Sequence, residues 1–233
     1  MSDFAYIEKN YHNLLDEIRA YENLYGRNIA VVAVTKSGTD EELVELAKVG
    51  VTDIGENRPG ELKRRAEMLG ELGYFPRLHE IGTLQRNKVK LVVDKAHIIH
   101  SVDTPQLAAE IDKQAEKLGI YPTVLIEVNS AKEEMKGGVM PEDTEAFFLE
   151  IRSLKHIRIA GIMTMGPVTA SPEDARPYFK LTKEIFDKIG SSYGWDGDGI
   201  LSMGMSESYR VAIEEGSTLV RVGRKLFDKN EGR

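Results

Sequence analysis

The chain has 233 residues, a net charge of −7 and no cysteine. That excludes disulfides, thiolate metal sites and a cysteine nucleophile, and it argues against nucleic acid or an anionic membrane as the main partner. With 41% hydrophobic and 30% charged residues, and no linker-like stretch, the expectation is one globular domain spanning residues 1–233.

The opening segment, MSDFAYIEKNYHNLLDEIRAYENLYG, is charged throughout. It has no apolar signal-peptide core, and no run reaches the roughly 20 apolar residues of a membrane span, so a cytoplasmic protein is expected. Phe4, Ile7, Tyr11, Leu14, Leu15, Ile18 and Tyr21 recur at helical spacing and predict an amphipathic helix over about 3–25. From about residue 28 to 227 the pattern alternates. Short apolar runs at 29–35, 52–55, 77–82, 97–102, 122–129, 157–164, 199–204 and 218–223 predict strands. Charged, helix-patterned segments at 40–49, 58–72, 84–95, 104–118, 141–154, 172–190 and 206–215 fall between them, and a short tail follows. Thr39, Thr104-Pro105 and Ser171-Pro172 read as helix starts, and Gly50, Gly70, Gly119, Gly190 and Gly216 as helix ends.

Strands that alternate with helices pair in parallel through right-handed crossovers. An open doubly wound sheet and a closed (β/α)8 barrel both satisfy this. A dinucleotide-binding sheet would carry Gly-x-Gly-x-x-Gly after its first strand. Here that strand runs into TKSGTD, so the α/β barrel is favoured, with an extra N-terminal helix.

In either architecture ligands sit at the carboxyl ends of strands. The first strand ends at Lys36, the second at Asn57 and the eighth at Arg221 and Gly223. The seventh ends in SMGMS, where Ser202, Gly204 and Ser206 at a helix start suit an anion as well as an ordinary serine cap. A lysine desolvated at a strand end becomes nucleophilic and condenses with aldehydes. An aldehyde that also carries a phosphate is pyridoxal 5′-phosphate. A lysine snorkelling to the rim, or an aldolase-type Schiff base with a sugar phosphate, uses the same parts.

The segments AVTKSGTDEELVELAKVGVTDIGENR, LHEIGTLQRNKVK, IHSVDTPQLAAEID, VLIEVNSAKEEMKGGV, GIMTM and LSMGMSESYRVAIEEGSTLVRVG resemble the pyridoxal phosphate homeostasis proteins. These are single-domain relatives of the alanine racemase N-terminal barrel, and the resemblance runs in order over about 29–224. It implies a fold-type III pyridoxal phosphate barrel in which Lys36 forms the internal aldimine. It also implies Ser202, Met203, Gly204, Met205, Ser206 and Gly223 around the phosphate, Arg221 near the pyridine nitrogen, Asn57 near the ring, and Lys136 handling the cofactor. Ser37 and Gly38, Thr83 and Arg224 stand where the family pattern usually has other residues, and Arg224 donates to the phosphate only if it turns inward.

Two activities compete. A racemase needs a base on each face of the substrate carbon; Lys36 supplies one, and Tyr209 is the nearest candidate for the other. The chain ends soon after Arg221, so the racemases' second domain is expected to be absent and the protein to be a monomer. An arginine at the ring nitrogen also weakens the ring as an electron sink. The expectation is therefore a carrier that stores, shields and delivers pyridoxal phosphate to apoenzymes, without strong catalysis of its own. The basic clusters LKRR and LQRNKVK read as solvated faces, and the methionines at 163, 165, 203 and 205 as packing around a flat ring, with no metal site.

Overall fold

A computed structural model describes residues 4–133, 137–167 and 171–230. Strands β1 (Ala30–Val34), β2 (Asp53–Glu56), β3 (Arg77–Glu80), β4 (Ala96–Val102), β5 (Thr123–Glu127), β6 (Arg158–Met163), β7 (Ile200–Ser202) and β8 (Leu219–Val222) form a closed barrel in chain order. All pairings are parallel, and β8 closes on β1 with Val32 opposite Arg221. The (β/α)8 barrel expected from the sequence is the fold. All eight predicted apolar runs are strands; six are trimmed at their ends, whereas β2 ends one residue later, at Glu56, and β4 starts one residue earlier, at Ala96.

Helices α1 (Ala5–Tyr25), α2 (Asp40–Lys48), α3 (Pro59–Glu71), α4 (Pro105–Leu118), α5 (Thr144–Ile151), α6 (Arg176–Tyr193), α7 (Tyr209–Glu214) and α8 (Arg224–Phe227) surround it. Their starts follow local chemistry. Thr39 Oγ1 accepts from Glu42 N at 3.2 Å while the Glu42 carboxylate accepts from Thr39 N at 2.8 Å, a reciprocal cap. Thr104 accepts from Leu107 N ahead of Pro105, and Ser171 with Asp174 forms a second reciprocal cap. Helix α1 buries Ile7, Leu14 and Ile18 against its neighbours α2 and α8. Each such side chain contributes about 1.5–3 kcal/mol.

Three segments differ from the predicted pattern. Residues 84–95 form a 3₁₀ helix, Arg86–Leu91, with Lys88 N bonded to Gln85 O and Val92 N to Val89 O. The β-branched valines at 89, 92 and 93 fit this tighter winding. Helix α7 starts at Tyr209, three residues later than expected, because Met205 N bonds to Ser208 Oγ and Met205 O accepts from Ser208 and Tyr209, forming a turn first. Gly50, Gly119 and Gly216 take positive φ past helix ends, but Gly70 and Gly190 lie inside α3 and α6, and the chain turns at Gly73 and Gly194 instead.

The apolar core has two parts. The larger lies between sheet and helices. The smaller, with Val32, Ile98, Leu125, Ala160, Met163 and Leu219, fills the barrel interior. Around that plug stand buried polar groups, His79, His100, Ser202 and Arg221. Among the described residues no helix is long and apolar enough to cross a membrane.

Candidate functional site

A cavity of about 470 Å³ opens at the carboxyl ends of the strands. This volume suits a small organic ligand. Period-two alternation along each strand decides what lines it. On β1, Val32 sits in the interior plug, so Val34 and then Lys36 face the cavity. On β8, Leu219 faces inward, so Arg221 and Gly223 follow on the same side. Asn57 after β2, Ile81 and Thr83 after β3, Glu127 on β5, and Met165 after β6 complete the wall, with Met205 and Ser206 from the loop after β7.

Lys36 is exposed, in a turn beyond the end of β1. A desolvated ammonium at the tip of a buried strand, expected from the sequence, is not what the fold produces. Instead Thr35 N pairs with Gly55 O and Gly38 N turns back to Thr35 O at 2.9 Å, which lifts Lys36 onto the wall. The turn is clamped from behind by Arg65, whose guanidinium donates to Thr35 O at 2.7 Å and to Gly38 O at 2.9 Å. Arg65 also pairs with the buried carboxylate of Glu56, which accepts a bond from the Thr35 hydroxyl. Arg65 belongs to LKRR, so one member of that cluster is a buried fastener and not part of a solvated face.

The loop after β7 is shaped by backbone constraint. Gly204 has φ of +91°, and a Cβ there would come within 2.5 Å of Ala212 Cβ and 2.8 Å of Tyr209 Cα. At Gly223 a Cβ would lie 2.9 Å from Val34 O, so only glycine lets the end of β8 approach β1 this closely. Gly223 N donates to Ser206 Oγ at 3.1 Å, tying the two loops together.

Three expected residues, Ser202, Met203 and Gly204, do not line the cavity. Ser202 is fully buried below it, where its Oγ accepts from Arg221 Nη1 at 2.6 Å and meets His100 Nδ1 at 3.1 Å. The Met203 side chain points the other way, into the layer between sheet and helices, because it follows Ser202 by one residue. Arg224 borders the cavity, but its side chain is 76% exposed and pairs with Glu207 at 3.5 Å. Tyr209 is buried in the outer layer, its hydroxyl 3.1 Å from Lys225 Nζ, facing away from the cavity. Lys136 lies outside the described residues.

Arg221 is 2% exposed and donates to Ser202 Oγ, to Thr164 O at 2.9 Å and to Met165 Sδ at 3.7 Å. Burial lowers its pKa to about 10, opposed by Glu127, so it remains cationic at neutral pH. Glu127 was missed by the sequence reading. Burial and the nearby Asp103 push its carboxyl up to about 7, against the pull of Arg221. The signal was there, since Glu127 ends the apolar run VLIE just as Lys36 follows AVVAVT.

A barrel with a lysine after its first strand, a buried arginine on its last and a glycine-serine junction beside them defines an α/β ligand-binding class. The profile of the family described as "Alanine racemase, N-terminal domain" matches residues 10–230. A pyridoxal phosphate homeostasis protein of Aquifex aeolicus is 41% identical over 207 residues, covering 88% of this chain and 90% of that one. One of Schizosaccharomyces pombe is 33% identical over 221 residues, covering 93% and 91%. The structure of PipY of Synechococcus elongatus with PLP bound superposes with a TM-score of 0.83 at 26% identity, covering 95% of this chain and all of that one (100%). An alanine racemase of Clostridium difficile shares the fold, with a TM-score of 0.70 and 19% identity over 91% of this chain and 58% of that one. The chain belongs to the pyridoxal phosphate homeostasis proteins of the alanine racemase N-terminal-domain family.

Proposed function

We propose that the protein binds pyridoxal 5′-phosphate in this cavity, attached through Lys36, and that it stores, shields and delivers the cofactor in pyridoxal phosphate homeostasis. The observation that carries this reading is the convergence of Lys36, Arg221, Ser206 and Gly223 on one cavity. The donor set fits the group: an amine for the aldehyde, a hydroxyl and a close-approaching glycine backbone for the phosphate, and a cationic guanidinium. Val34, Ile81 and Met165 offer apolar surface to a flat ring. The bound group supplies an aldehyde that joins a primary amine reversibly, with loss of water.

The chain's own residues then have separate tasks. Arg65 and Glu56 hold the turn that presents Lys36. Ser206 and Gly223, already bonded to each other, with Met205 and the left-handed turn at Gly204, form the phosphate end. Arg221 presents a donor toward the ring, and Asn57 flanks it. Ser202 supports Arg221 from below and does not itself touch the phosphate.

The second reading is an amino-acid racemase of the alanine racemase type. Glu127 favours it, because a carboxyl near 7 can exchange a proton at neutral pH. The tyrosine considered for that task points away from the cavity. With an exposed lysine as its amine and an arginine against the ring, the site suits holding and release better than carbanion chemistry. We further propose that it acts as a monomer, which gel filtration with light scattering would check.

The test is covalent trapping. Purified protein mixed with pyridoxal phosphate is reduced with borohydride and its peptides are weighed. A single pyridoxyl adduct on Lys36, lost in Lys36→Ala, is expected. A protein that stays colourless, or that is labelled elsewhere, would overturn the binding reading. Racemisation of an amino acid at enzymic rates would overturn the carrier reading.

A further inference from the structure

Beneath the cavity, five buried side chains form a continuous hydrogen-bonded train across the barrel. Arg221 Nη1 meets Ser202 Oγ at 2.6 Å, and Ser202 Oγ meets His100 Nδ1 at 3.1 Å. His100 Nε2 meets His79 Nδ1 at 2.9 Å, and His79 Nε2 meets Asp53 Oδ1 at 2.9 Å. Asp53 is held by Arg77 Nη2 at 2.6 Å, with the Arg77 side chain 54% exposed. His79, His100 and Ser202 are at most 1% exposed. None of His79, His100 and Asp53 lines the cavity.

Donor and acceptor chemistry gives this train one direction. Burial works to keep the Asp53 carboxyl protonated, but bonds from His79, Arg77 and Thr52 outweigh it and hold the group well below the usual carboxylate range. So Asp53 only accepts, and His79 must carry its proton on Nε2. A neutral His79 therefore accepts at Nδ1, which places the His100 proton on Nε2. His100 in turn accepts at Nδ1, and the Ser202 hydroxyl donates to it. That leaves the Ser202 lone pairs for Arg221. The reverse direction would need His79 to be an imidazolium. Burial disfavours that charge, with Arg77 adding to the effect and Asp53 opposing it; His97 lies 6.0 Å away, ring to ring. His100, fully buried between His79 and Arg221, is pushed down further.

Arg221 needs such a partner. Among the described residues no carboxylate lies within ion-pair distance (4 Å) of its guanidinium, and the group is buried. We propose that Ser202, His100 and His79 are positioning residues that relay the negative charge of Asp53 to Arg221, fixing its guanidinium for the cofactor's ring. This rests on the cofactor reading above. The barrel floor then acts as a remote counter-ion, and the ring-facing donor is set by a carboxylate on the far side of the interior plug.

Two measurements test it. In protein labelled with ¹⁵N-histidine and free of cofactor, His79 and His100, assigned through single substitutions, should both show the Nε2–H tautomer and stay neutral from about pH 5 to 8. A proton on Nδ1 of either ring, or titration of either in that range, would overturn the direction of the relay. The second measurement is pyridoxal phosphate affinity and absorption maximum in Ser202→Ala, His100→Leu and His100→Asn, each with its Tm. An asparagine oxygen can replace the Nδ1 acceptor, whereas leucine cannot. Ser202→Ala and His100→Leu should weaken binding by about tenfold to a hundredfold and move the absorption maximum; His100→Asn, which keeps an acceptor for Ser202 but loses the Nε2–H bond to His79, should also weaken binding, and full recovery there would show that Asp53 takes no part and overturn the relay. A merely structural role predicts Tm losses without a spectral change, and that outcome would overturn the proposal. If the unsubstituted protein takes up no pyridoxal phosphate, the cofactor reading fails, and the tautomer measurement alone still decides whether the relay exists.

Discussion

Replacing Glu80 by glutamine should flatten the pH dependence of folding stability. Glu80 ends β3 on the outer face of the barrel and is completely buried. Its Oε1 accepts one long bond, 3.3 Å, from Gly82 N, and its Oε2 has no partner among the described residues. Burial raises its pKa from 4.5 to about 8; the Gly82 bond opposes this, and the neighbouring Glu56 adds to it. The native state therefore keeps a proton that the unfolded chain releases near pH 4.5. Stability is complete below that pH and is lost as the pH rises toward 8. At ~1.4 kcal/mol per pH unit, the displacement caps the loss at about 5 kcal/mol. Urea denaturation of the wild type and Glu80→Gln at intervals from pH 5 to 9 measures it. The wild type should lose stability relative to the variant across that range, since glutamine has the same shape and no proton to release. Glu127 is present in both proteins and cancels. Parallel curves, with no pH-dependent difference, would mean that Glu80 is ionised in the folded state and that its burial has been misjudged.

Three further outcomes follow from the site. Arg65→Met should cost about 3–5 kcal/mol, because it leaves the Glu56 carboxylate buried without its partner, and Glu56→Gln in the same chain should recover part of that loss in urea denaturation. Gly223→Ala forces a methyl against Val34 O at 2.9 Å; pyridoxal phosphate binding, followed by absorbance, should weaken by more than the change in Tm accounts for. Glu127→Gln should remove part of the pH dependence of cofactor binding. In the wild type the carboxylate forms as pH rises through about 7 and repels an anion, so affinity should fall by up to about tenfold between pH 6 and 8, and less in the variant.

The reading of the strand ends illustrates what one-dimensional pattern can and cannot carry. Each apolar run marks a strand, and the residue just past it marks the mouth of the barrel, so Lys36, Asn57, Arg221 and Gly223 were legible. The run LSMGMS was harder, because Ser202 and Met203 sit on opposite faces and both faces of a barrel strand are buried. Without the polar-out face of an exposed sheet, hydropathy does not say which parity looks inward. Burial of Arg65 was equally hidden, since its partners Thr35 and Gly38 come from the preceding β/α unit and Glu56 from the strand before its own helix.

By itself, then, the sequence determined the eight alternating units, their parallel order and the lysine and arginine at the two strands that close the barrel, because periodicity and capping are local. Only the tertiary structure decided that Lys36 stands exposed on a clamped turn, that Ser202 lies beneath the cavity, and that Asp53, His79 and His100 join Arg221 in one chain. Those contacts span 19 to 102 residues of sequence. They exist because closure of the barrel brings inward-facing side chains from distant strands into a common interior, where a buried polar group must find its partner.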